Sequence, residues 1–184
     1  MIVLYVVRHG ETDYNKQGKY LGRLDQPLNQ VGIDQAKRLS EKIKKLPIDM
    51  VISSPLERTM QTARVITPGY EVIQNKYFIE RSLGVYEGLA KQEAQQKYPD
   101  LYQKVITRIF NQAPPQGETI NHVQDRVFKG LDDLKLKYPD KNILLVTHAF
   151  IAKVINKYFH PELSDEGFFD FVLPLIGVKK FVLD

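Results

Sequence analysis

Short apolar runs alternate with longer amphipathic stretches along this chain, and the alternation predicts strands that are connected by helices. Residues 1–7, 48–53 and 142–147 are apolar runs of strand length, and residues 70–74 alternate as a shorter strand. The repeated order of strand, helix and strand is typical of a mostly parallel, doubly wound sheet. We therefore predict an α/β fold, in the form of a three-layer α/β/α sandwich.

Apolar residues recur at helical spacing between these runs. Asn29 is a suitable N-cap for the first such stretch, and Pro47 ends it. Residues 78–89 have no clean periodicity, and Pro99 separates the two helical stretches that follow, which together predict a helical insertion over one end of the sheet. The predicted helices are residues 31–46, 56–66, 90–98, 100–110, 118–138 and 149–158, and a last pair of strands is predicted at 168–173 and 178–183.

Charged and imidazole side chains stand where three of the predicted strands end. Arg8 and His9 follow the first strand, Arg58 opens the helix after the second, and His148 follows residues 142–147. Because the carboxyl ends of parallel strands meet at one edge, we expect these four side chains to converge. An arginine at a helix N-terminus, where the macrodipole is already positive, indicates an anion nearby. The cluster therefore predicts a site for a phosphate dianion.

A metal site is the competing interpretation, because His9, His148, Glu11 and Glu80 have the donor atoms of a ligand set. Two arginines beside a divalent cation would cost several kcal/mol by Coulomb's law, so we predict no catalytic metal and no cofactor. Glu80 is instead a candidate proton donor. A partly desolvated carboxyl beside a phosphate has a raised pKa and can act as a general acid.

The composition narrows the range of partners. The chain of 184 residues has no cysteine, which excludes disulfides, a thiolate nucleophile and a cysteine-based metal site. The net charge of +4 is spread along the chain, and the apolar start is too short for a membrane helix. We predict a single cytoplasmic domain over residues 1–184, a monomer or homodimer that binds a small phosphorylated substrate but neither nucleic acid nor a membrane.

Five motifs, in this order along the chain, resemble the signature of the histidine phosphatase superfamily, the phosphoglycerate mutase-like enzymes. The resemblance implies that His9 is a nucleophile that attacks phosphorus and forms a phosphohistidine intermediate. The motifs are Arg8-His9-Gly10-Glu11-Thr12-x-x-Asn15, Asp25-x-Pro27-Leu28 with Gly32, Ser54-Pro55-Leu56-x-Arg58-Thr59, the segment that begins at Glu80, and Val146-Thr147-His148.

The resemblance also implies roles for the residues around the nucleophile. Glu80 would protonate the leaving oxygen and then help to activate the water that hydrolyses the intermediate. The phosphoryl oxygens would be held by Arg8, Asn15, Arg58 and His148, and the expected substrate-binding set also contains Gly22, Arg23 and Ala149.

The chain departs from the family pattern beside the expected site. Ala149 stands where relatives usually have glycine, and Leu21 stands where many phosphatases have glutamine. The chain also stops soon after Phe181, so we expect the closing C-terminal hairpin of longer relatives to be short or absent. These differences bear on efficiency and substrate choice more than on the basic chemistry.

Other residues near the motifs have open roles. We expect Glu87 to anchor a loop, while Glu118 and Thr119 either contact the substrate or form a plain helix start. The side chains that could favour an acidic substrate are Lys19, Arg23, Arg81 and Lys91. A substrate that contains a ring could be bound by Tyr20 or Tyr86.

The predicted function is a metal-independent phosphomonoester hydrolase that acts on a small phosphorylated metabolite. A phosphoglycerate mutase is the first alternative, but Ser82-Leu83-Gly84 differs from the His-Tyr-Gly that follows the same Glu-Arg pair in mutases. The second alternative is a module that kept the fold and binds a phosphate ester or a partner without turnover.

Overall fold

The computed structural model describes residues 1–183, and its centre is a five-stranded sheet. Its last strand pairs antiparallel with its first, and the other pairings are parallel. The strands are β1 (Ile2–Arg8), β2 (Met50–Ser53), β3 (Val72–Gln74), β4 (Asn142–Thr147) and β5 (Val178–Leu183), in the spatial order β3-β2-β4-β1-β5.

Helices cover both faces of this sheet. On one face, the helices that contain Ala36 and Ala63 pack against the strands, and on the other face, the helices that contain Val127 and Ile151 do so. Because both faces are covered, the central strands are apolar on both sides. The predicted three-layer α/β class is confirmed. The helices are α1 (Asp13–Lys16), α2 (Gln30–Ile43), α3 (Glu57–Ile66), α4 (Lys91–Lys97), α5 (Pro99–Gln103), α6 (Ile120–Lys137), α7 (Ala149–Phe159) and α8 (Asp165–Asp170).

Capping contacts decide where the helices beside the site begin. Asn29 accepts a hydrogen bond from the backbone of Gly32 at 2.9 Å, as expected of the N-cap of α2. α3 has no such side chain of its own, because Leu56 precedes it. Asp25 takes the place of a side-chain N-cap, because its carboxylate accepts a hydrogen bond from the Glu57 backbone at 2.7 Å. This contact ties the loop before α2 to the start of α3.

The insertion segment (residues 76–118) is the irregular part of the fold. It contains α4, α5 and three 3₁₀ turns, and it has a small core of its own that includes Tyr86 and Ile106. The prediction of a helix over 100–110 is wrong beyond Gln103. Val105 has φ +50°, a left-handed conformation that ends a right-handed helix.

The prediction of a strand at 168–173 is also wrong, because α8 covers the first part of this stretch. Ser164 caps that helix by accepting from the Gly167 backbone at 3.2 Å, and two acidic residues occupy its first turn. Phe168 is buried against Phe110 and Phe150. The predicted strand at 178–183 is β5.

Candidate active site

The ends of β1, β2 and β4 bring the two histidines together. β1 lies beside β4 with Arg8 opposite Thr147, and the His9 backbone donates to the Thr147 carbonyl at 3.1 Å. His148 follows directly, so the ring centroids of His9 and His148 are 5.3 Å apart. Ser54, at the end of β2, places its Oγ 2.7 Å from Nε2 of His148. Parallel strand pairing therefore builds the base of this site.

The hydrogen bond of His9 determines which ring nitrogen is available. Nδ1 lies 2.7 Å from the carbonyl oxygen of Gly10, and the side chain is 3% exposed. Because a carbonyl can only accept, Nδ1 carries the hydrogen and Nε2 of the neutral ring carries the lone pair. Burial, reinforced by the positive charges of Arg58 and Arg8, holds the pKa of His9 well below 6.5. His9 is therefore neutral at pH 7.

The loop that carries His9 is held by a close backbone approach. A Cβ on Gly10 would lie 2.6 Å from the Gly32 carbonyl oxygen, and a Cβ on Gly32 would lie 2.2 Å from that of Glu11. Two glycines let the loop pack onto the start of α2. The Glu11 carboxylate accepts from Asn29 at 2.8 Å, so this residue supports the loop.

Arg58 is completely buried at the start of α3. Its guanidinium donates to the carbonyls of Leu24 at 2.8 Å and Gly22 at 2.7 Å, which fixes the loop over the site. Burial lowers the pKa of Arg58 to about 10, partly opposed by the Glu80 carboxylate, so the group stays charged at neutral pH. A buried cation at a helix N-terminus fits the predicted anion site.

Arg8, His9, Arg58 and His148 form a group that we call the strand-end cluster. Arg8 donates through Nη1 to the Leu173 carbonyl at 3.0 Å. Within residues 1–183, however, Nε of Arg8, Nε of Arg58 and Nδ1 of His148 are buried without a hydrogen-bond partner. Each such atom costs about 1–3 kcal/mol. A bound group that supplies acceptors would satisfy these atoms.

Asn15 adds a further donor. Its Oδ1 accepts from the backbone and the hydroxyl of Thr12, at 3.1 and 3.0 Å, as part of a capping box at α1. This leaves the amide nitrogen of Asn15, which lines the same cavity as Arg8, to donate to a ligand.

Glu80 lies in the insertion segment opposite the strand-end cluster. Its carboxyl accepts from the backbone of Arg81 at 2.9 Å and, more weakly, from that of Phe150 at 3.5 Å. Burial raises the pKa of Glu80, although these bonds and the charges of Arg58 and Arg8 oppose the rise. Glu80 therefore holds its proton to a higher pH than an exposed glutamate does.

These side chains surround one open cavity of about 200 Å³. Two of the predicted site residues are not in its lining. His148 is covered by its neighbours, and Arg23 donates outside the cavity to the Glu80 carbonyl and the Glu118 carboxylate, both at 3.0 Å. The lining residues are Arg8, His9, Asn15, Lys19, Tyr20, Leu21, Gly22, Arg58, Glu80, Arg81, Leu83, Ala149 and Phe150.

Comparison with known proteins assigns this arrangement to a family. The sequence profile of the histidine phosphatase superfamily (branch 1) matches residues 4–184. The chain belongs to this superfamily. The "uncharacterized phosphatase PhoE" of Bacillus subtilis is 35% identical over 151 residues, which are 81% of this chain and 72% of that protein. "Phosphoglycerate mutase-like protein 4" of Arabidopsis thaliana is 34% identical over 163 residues, 86% of this chain and 71% of that protein.

A solved structure supports the same assignment. The phosphoserine phosphatase of Entamoeba histolytica, in complex with 3-phosphoglyceric acid, is 28% identical and has a TM-score of 0.86. The match covers 99% of this chain and 91% of that chain. The predicted family is confirmed, and so is an enzyme of the phosphatase type.

The histidine phosphatase contains site residues that sequence reasoning missed. Ser54, the partner of His148, stands inside a motif but has no chemical signal of its own. Phe150 and Leu83 line the cavity. The signals in the sequence were that Phe150 directly follows Ala149 and that Leu83 lies in the segment that begins at Glu80. They line one cavity because the insertion segment contacts the start of α7, where the Phe150 backbone donates to the Glu80 carboxyl at 3.5 Å.

Two acidic residues of this histidine phosphatase have structural roles. One oxygen of Glu87 accepts from the backbones of Arg23 and Leu83, at 3.0 and 2.8 Å, and so anchors the loop as predicted. Glu118 bridges Arg23 and Arg126, with 3.0 and 2.8 Å separations. Thr119 caps α6, so this segment of the chain is a helix start.

The described residues of this histidine phosphatase also bear on metals and membranes. In residues 1–183, no three histidine, aspartate or glutamate side chains are grouped as metal ligands would be. The same residues contain no helix of the length and hydropathy needed to cross a bilayer.

Proposed function

We propose that this protein is a metal-independent phosphomonoester hydrolase that acts on a small phosphorylated metabolite through a phosphohistidine on His9. The observation that carries the proposal is the buried, neutral His9 ring, with its lone pair on Nε2, in a cavity that Arg8 and Arg58 also line. A neutral imidazole is a nucleophile, and guanidinium groups stabilise charge on the oxygens of a transferring phosphoryl group.

In this proposal, the phosphate is bound by side-chain donors that the rest of the protein leaves free. Arg8 and Arg58 neutralise the dianion, and the amide nitrogen of Asn15 donates to a further oxygen. When the Ser54 hydroxyl donates to Nε2 of His148, Nδ1 keeps its hydrogen, and a small shift of the side chains that cover His148 would let it donate to phosphate as well. Binding thus satisfies buried atoms that lack partners in the described chain.

In the first step, Nε2 of His9 attacks phosphorus from the side opposite the ester oxygen. The nitrogen–phosphorus bond forms as the bond from phosphorus to the ester oxygen breaks. Glu80 gives its proton to that oxygen, so the alcohol leaves neutral. The charge on the three remaining oxygens is held by the fixed guanidinium groups, which need no rearrangement as the charge develops.

In the second step, water attacks the phosphoryl group. The Glu80 carboxylate, now deprotonated, takes a proton from the water, the bond from phosphorus to Nε2 breaks, and orthophosphate leaves. His9 and Glu80 return to their starting protonation states. An open cavity admits the water, which favours hydrolysis over the mutase alternative.

The test is phosphate release from an aryl phosphate in the presence of a metal chelator. We expect the His9→Ala variant to lose activity on the order of 10⁴-fold or more, as removal of a nucleophile does. His122→Ala, at an exposed position of α6, is the matched control and keeps the parent rate. Intact mass measurement after an alkaline quench should find one added phosphoryl group on the parent chain.

Release that persists in His9→Ala, after exclusion of contaminating phosphatases, would contradict the mechanism. Transfer of phosphate to a second hydroxyl of the substrate, without release, would favour the mutase. Binding without either reaction would favour the module that lacks turnover. The cytoplasmic location and the oligomeric state remain predictions.

A further inference from the structure

Arg126 of α6 lies outside the cavity lining, yet its guanidinium contacts the backbone that carries Glu80. Nη1 donates to the Tyr77 carbonyl at 2.6 Å, and Nη2 donates to the Glu80 carbonyl at 3.3 Å. The side chain is only 17% exposed, so water competes little for these bonds. One arginine thus holds both ends of the stretch 77–80.

A carboxylate fixes the orientation of Arg126. Its Nε lies 2.8 Å from one oxygen of Glu118, and its Nη2 lies 3.0 Å from the other. Such a bidentate pair fixes the plane of the guanidinium as well as its position. Although burial opposes the change, these bonds lower the pKa of Glu118, so the pair stays charged at neutral pH. Arg126 therefore cannot turn away without breaking two charge-assisted hydrogen bonds.

The helix that carries Arg126 packs closely on the same stretch. A Cβ on Gly130, one turn further along α6, would lie only 2.6 Å from Cβ of Tyr77. A glycine inside a helix costs about 1 kcal/mol relative to alanine, and here it permits this close contact. From the other side, the Thr147 hydroxyl donates to the Phe78 carbonyl at 2.8 Å. Residues 77 and 78 are thus anchored to α6 and β4, and Arg126 extends the anchor to Glu80.

Glu80 itself belongs to no helix or strand, so no regular backbone hydrogen bonds hold it in place. Its carbonyl accepts from Arg126 and also from Nε of Arg23, at 3.0 Å. The Arg23 side chain is 39% exposed, and exposed arginine contacts constrain a structure weakly because water competes for them. Arg126 is therefore the firmer of the two supports.

We infer that Arg126 is a positioning residue, which holds the Glu80 backbone so that the Glu80 carboxyl faces the leaving oxygen of the substrate. This inference rests on the proposed hydrolase function. Arg126 acts through Glu80 and not on the substrate, because it lies outside the cavity lining. A general acid must lie within hydrogen-bond reach of the atom that it protonates, and misplacement by about 1 Å can cost on the order of 100-fold in rate.

The test compares two esters whose leaving groups differ in basicity. Glycerol phosphate needs a proton on its leaving oxygen, whereas nitrophenyl phosphate does not. We expect Arg126→Met to lower kcat on glycerol phosphate about 10- to 100-fold, with KM nearly unchanged, and on nitrophenyl phosphate less than about threefold. Arg126→Lys keeps the charge without the bidentate geometry, so it should recover only part of the loss.

Lys129→Met is the matched control, because Lys129 is an exposed cation of the same helix whose Nζ lies 6.0 Å from the ring centroid of Tyr77. The control should keep both rates of the parent enzyme. Equal losses on both esters in Arg126→Met would show a purely structural role and overturn the inference. Complete recovery in Arg126→Lys would also overturn it, because the charge alone would then suffice.

A double variant determines whether Arg126 acts through Glu80. In the Glu80→Gln background the proton donor is already absent. Addition of Arg126→Met should therefore lower the rate on glycerol phosphate by less than about twofold, because residues that act as a unit are not additive. Losses that add in full would place the action of Arg126 on another residue and overturn the inference.

A titration separates this inference from the proposed function. NMR of the Glu80 carboxyl carbon, assigned by its absence in Glu80→Gln, measures the pKa of Glu80 without turnover. Burial raises this pKa against the charges of Arg58 and Arg8. In Arg126→Met the released carboxyl should reach water, so its pKa should fall toward the ordinary value.

The direction of that change decides the outcome. A lowered pKa would support the inference even if the parent chain releases no phosphate, a result that would overturn the proposed function alone. An unchanged pKa, or one that rises because a positive charge has been removed, would overturn the inference whatever the parent chain hydrolyses.

Discussion

The strand-end cluster and the insertion segment form opposite sides of one cavity, yet they are built differently. The cluster rests on parallel strand pairing and on the first turn of α3, so regular elements fix its side chains. The insertion segment consists of short helices and 3₁₀ turns around a small core. It nevertheless supplies Glu80 and Arg81.

This difference separates two tasks. Attack on phosphorus needs side chains held in a narrow geometry, which a rigid sheet edge provides. Recognition of the leaving group varies between substrates, and irregular segments can change without disturbing the sheet. Glu80 joins the two tasks, because its pKa depends on burial by the insertion segment and on the charges of Arg58 and Arg8.

The largest expected effect comes from a change at Glu80, the residue that takes part in both tasks. We expect Glu80→Gln to lower kcat on aliphatic phosphate esters about 10³-fold, because the amide has no acidic proton to give to a strongly basic leaving oxygen. An aryl phosphate should lose much less, since a phenolate leaves without protonation. Steady-state rates with both ester types measure the difference.

Glu93→Gln, on α4 of the insertion segment, is the control, and it should leave both rates near those of the parent. The pH profile gives a second readout. In the proposed mechanism Glu80 acts in its protonated form, so activity on aliphatic esters should fall as pH rises through its raised pKa, and this limb should disappear in Glu80→Gln. Equal losses on both ester types would show that Glu80 only shapes the cavity.

The pH dependence of stability tests the strand-end cluster. Burial, with the charge of Arg58 next in size, holds the pKa of His148 well below 6.5. Below about pH 6.5, His148 binds a proton in the unfolded chain but not in the folded chain. The contribution of His148 to the free energy of unfolding is therefore fully present above this pH, and it is lost as the pH decreases. His148→Asn should reduce that slope by about 1.4 kcal/mol per pH unit.

Urea unfolding at several pH values between about 6.5 and 5 measures the slope. Glu80 contributes in the opposite direction, because its raised pKa adds stability at low pH that is lost as pH rises. The parent protein and the His148→Asn variant both retain Glu80. The difference between their slopes therefore reports His148 alone. His122→Asn, at an exposed position, is the control. An unchanged slope in His148→Asn would mean that His148 accepts a proton in the folded state.

The smallest expected effect concerns backbone strain in the insertion segment. Val105 has φ +50° and is 49% exposed, so a β-branched side chain occupies a conformation that asparagine adopts more readily. Val105→Asn should raise the free energy of unfolding by roughly 1 kcal/mol. Val31→Asn, with similar exposure but in helical conformation, should not stabilise the chain. Urea midpoints distinguish the two outcomes.

Local sequence signals were sufficient for the sheet and for the position of the strand-end cluster. The apolar run at 142–147 predicts β4 with the bounds found, and the residue types that follow β1 and β4 predict that His9 and His148 meet. Such predictions work because strand length, burial and pairing follow from the chain's own apolar pattern.

The insertion segment could not be predicted in the same way. Its helix stops at Val105, where tertiary packing of Ile106 overrides local preference. Arg81 reads as one of several surface cations, because its partners are the carbonyls of Thr107 and Glu118, which lie 26 and 37 residues away. The aromatic run of α8 likewise resembles a strand until Ser164 caps it.

The pairing of β1 has a consequence for biosynthesis. β1 leads directly into His9, the proposed nucleophile, yet its two neighbours, β4 and β5, lie about 140 and 180 residues further along the chain. A nascent chain therefore holds an apolar strand without partners until most of the domain has left the ribosome. Long-range parallel pairing is slow and exposes apolar surface to aggregation. The site cannot assemble before β4 has emerged, so we expect chaperones to engage β1 for longer than any other strand.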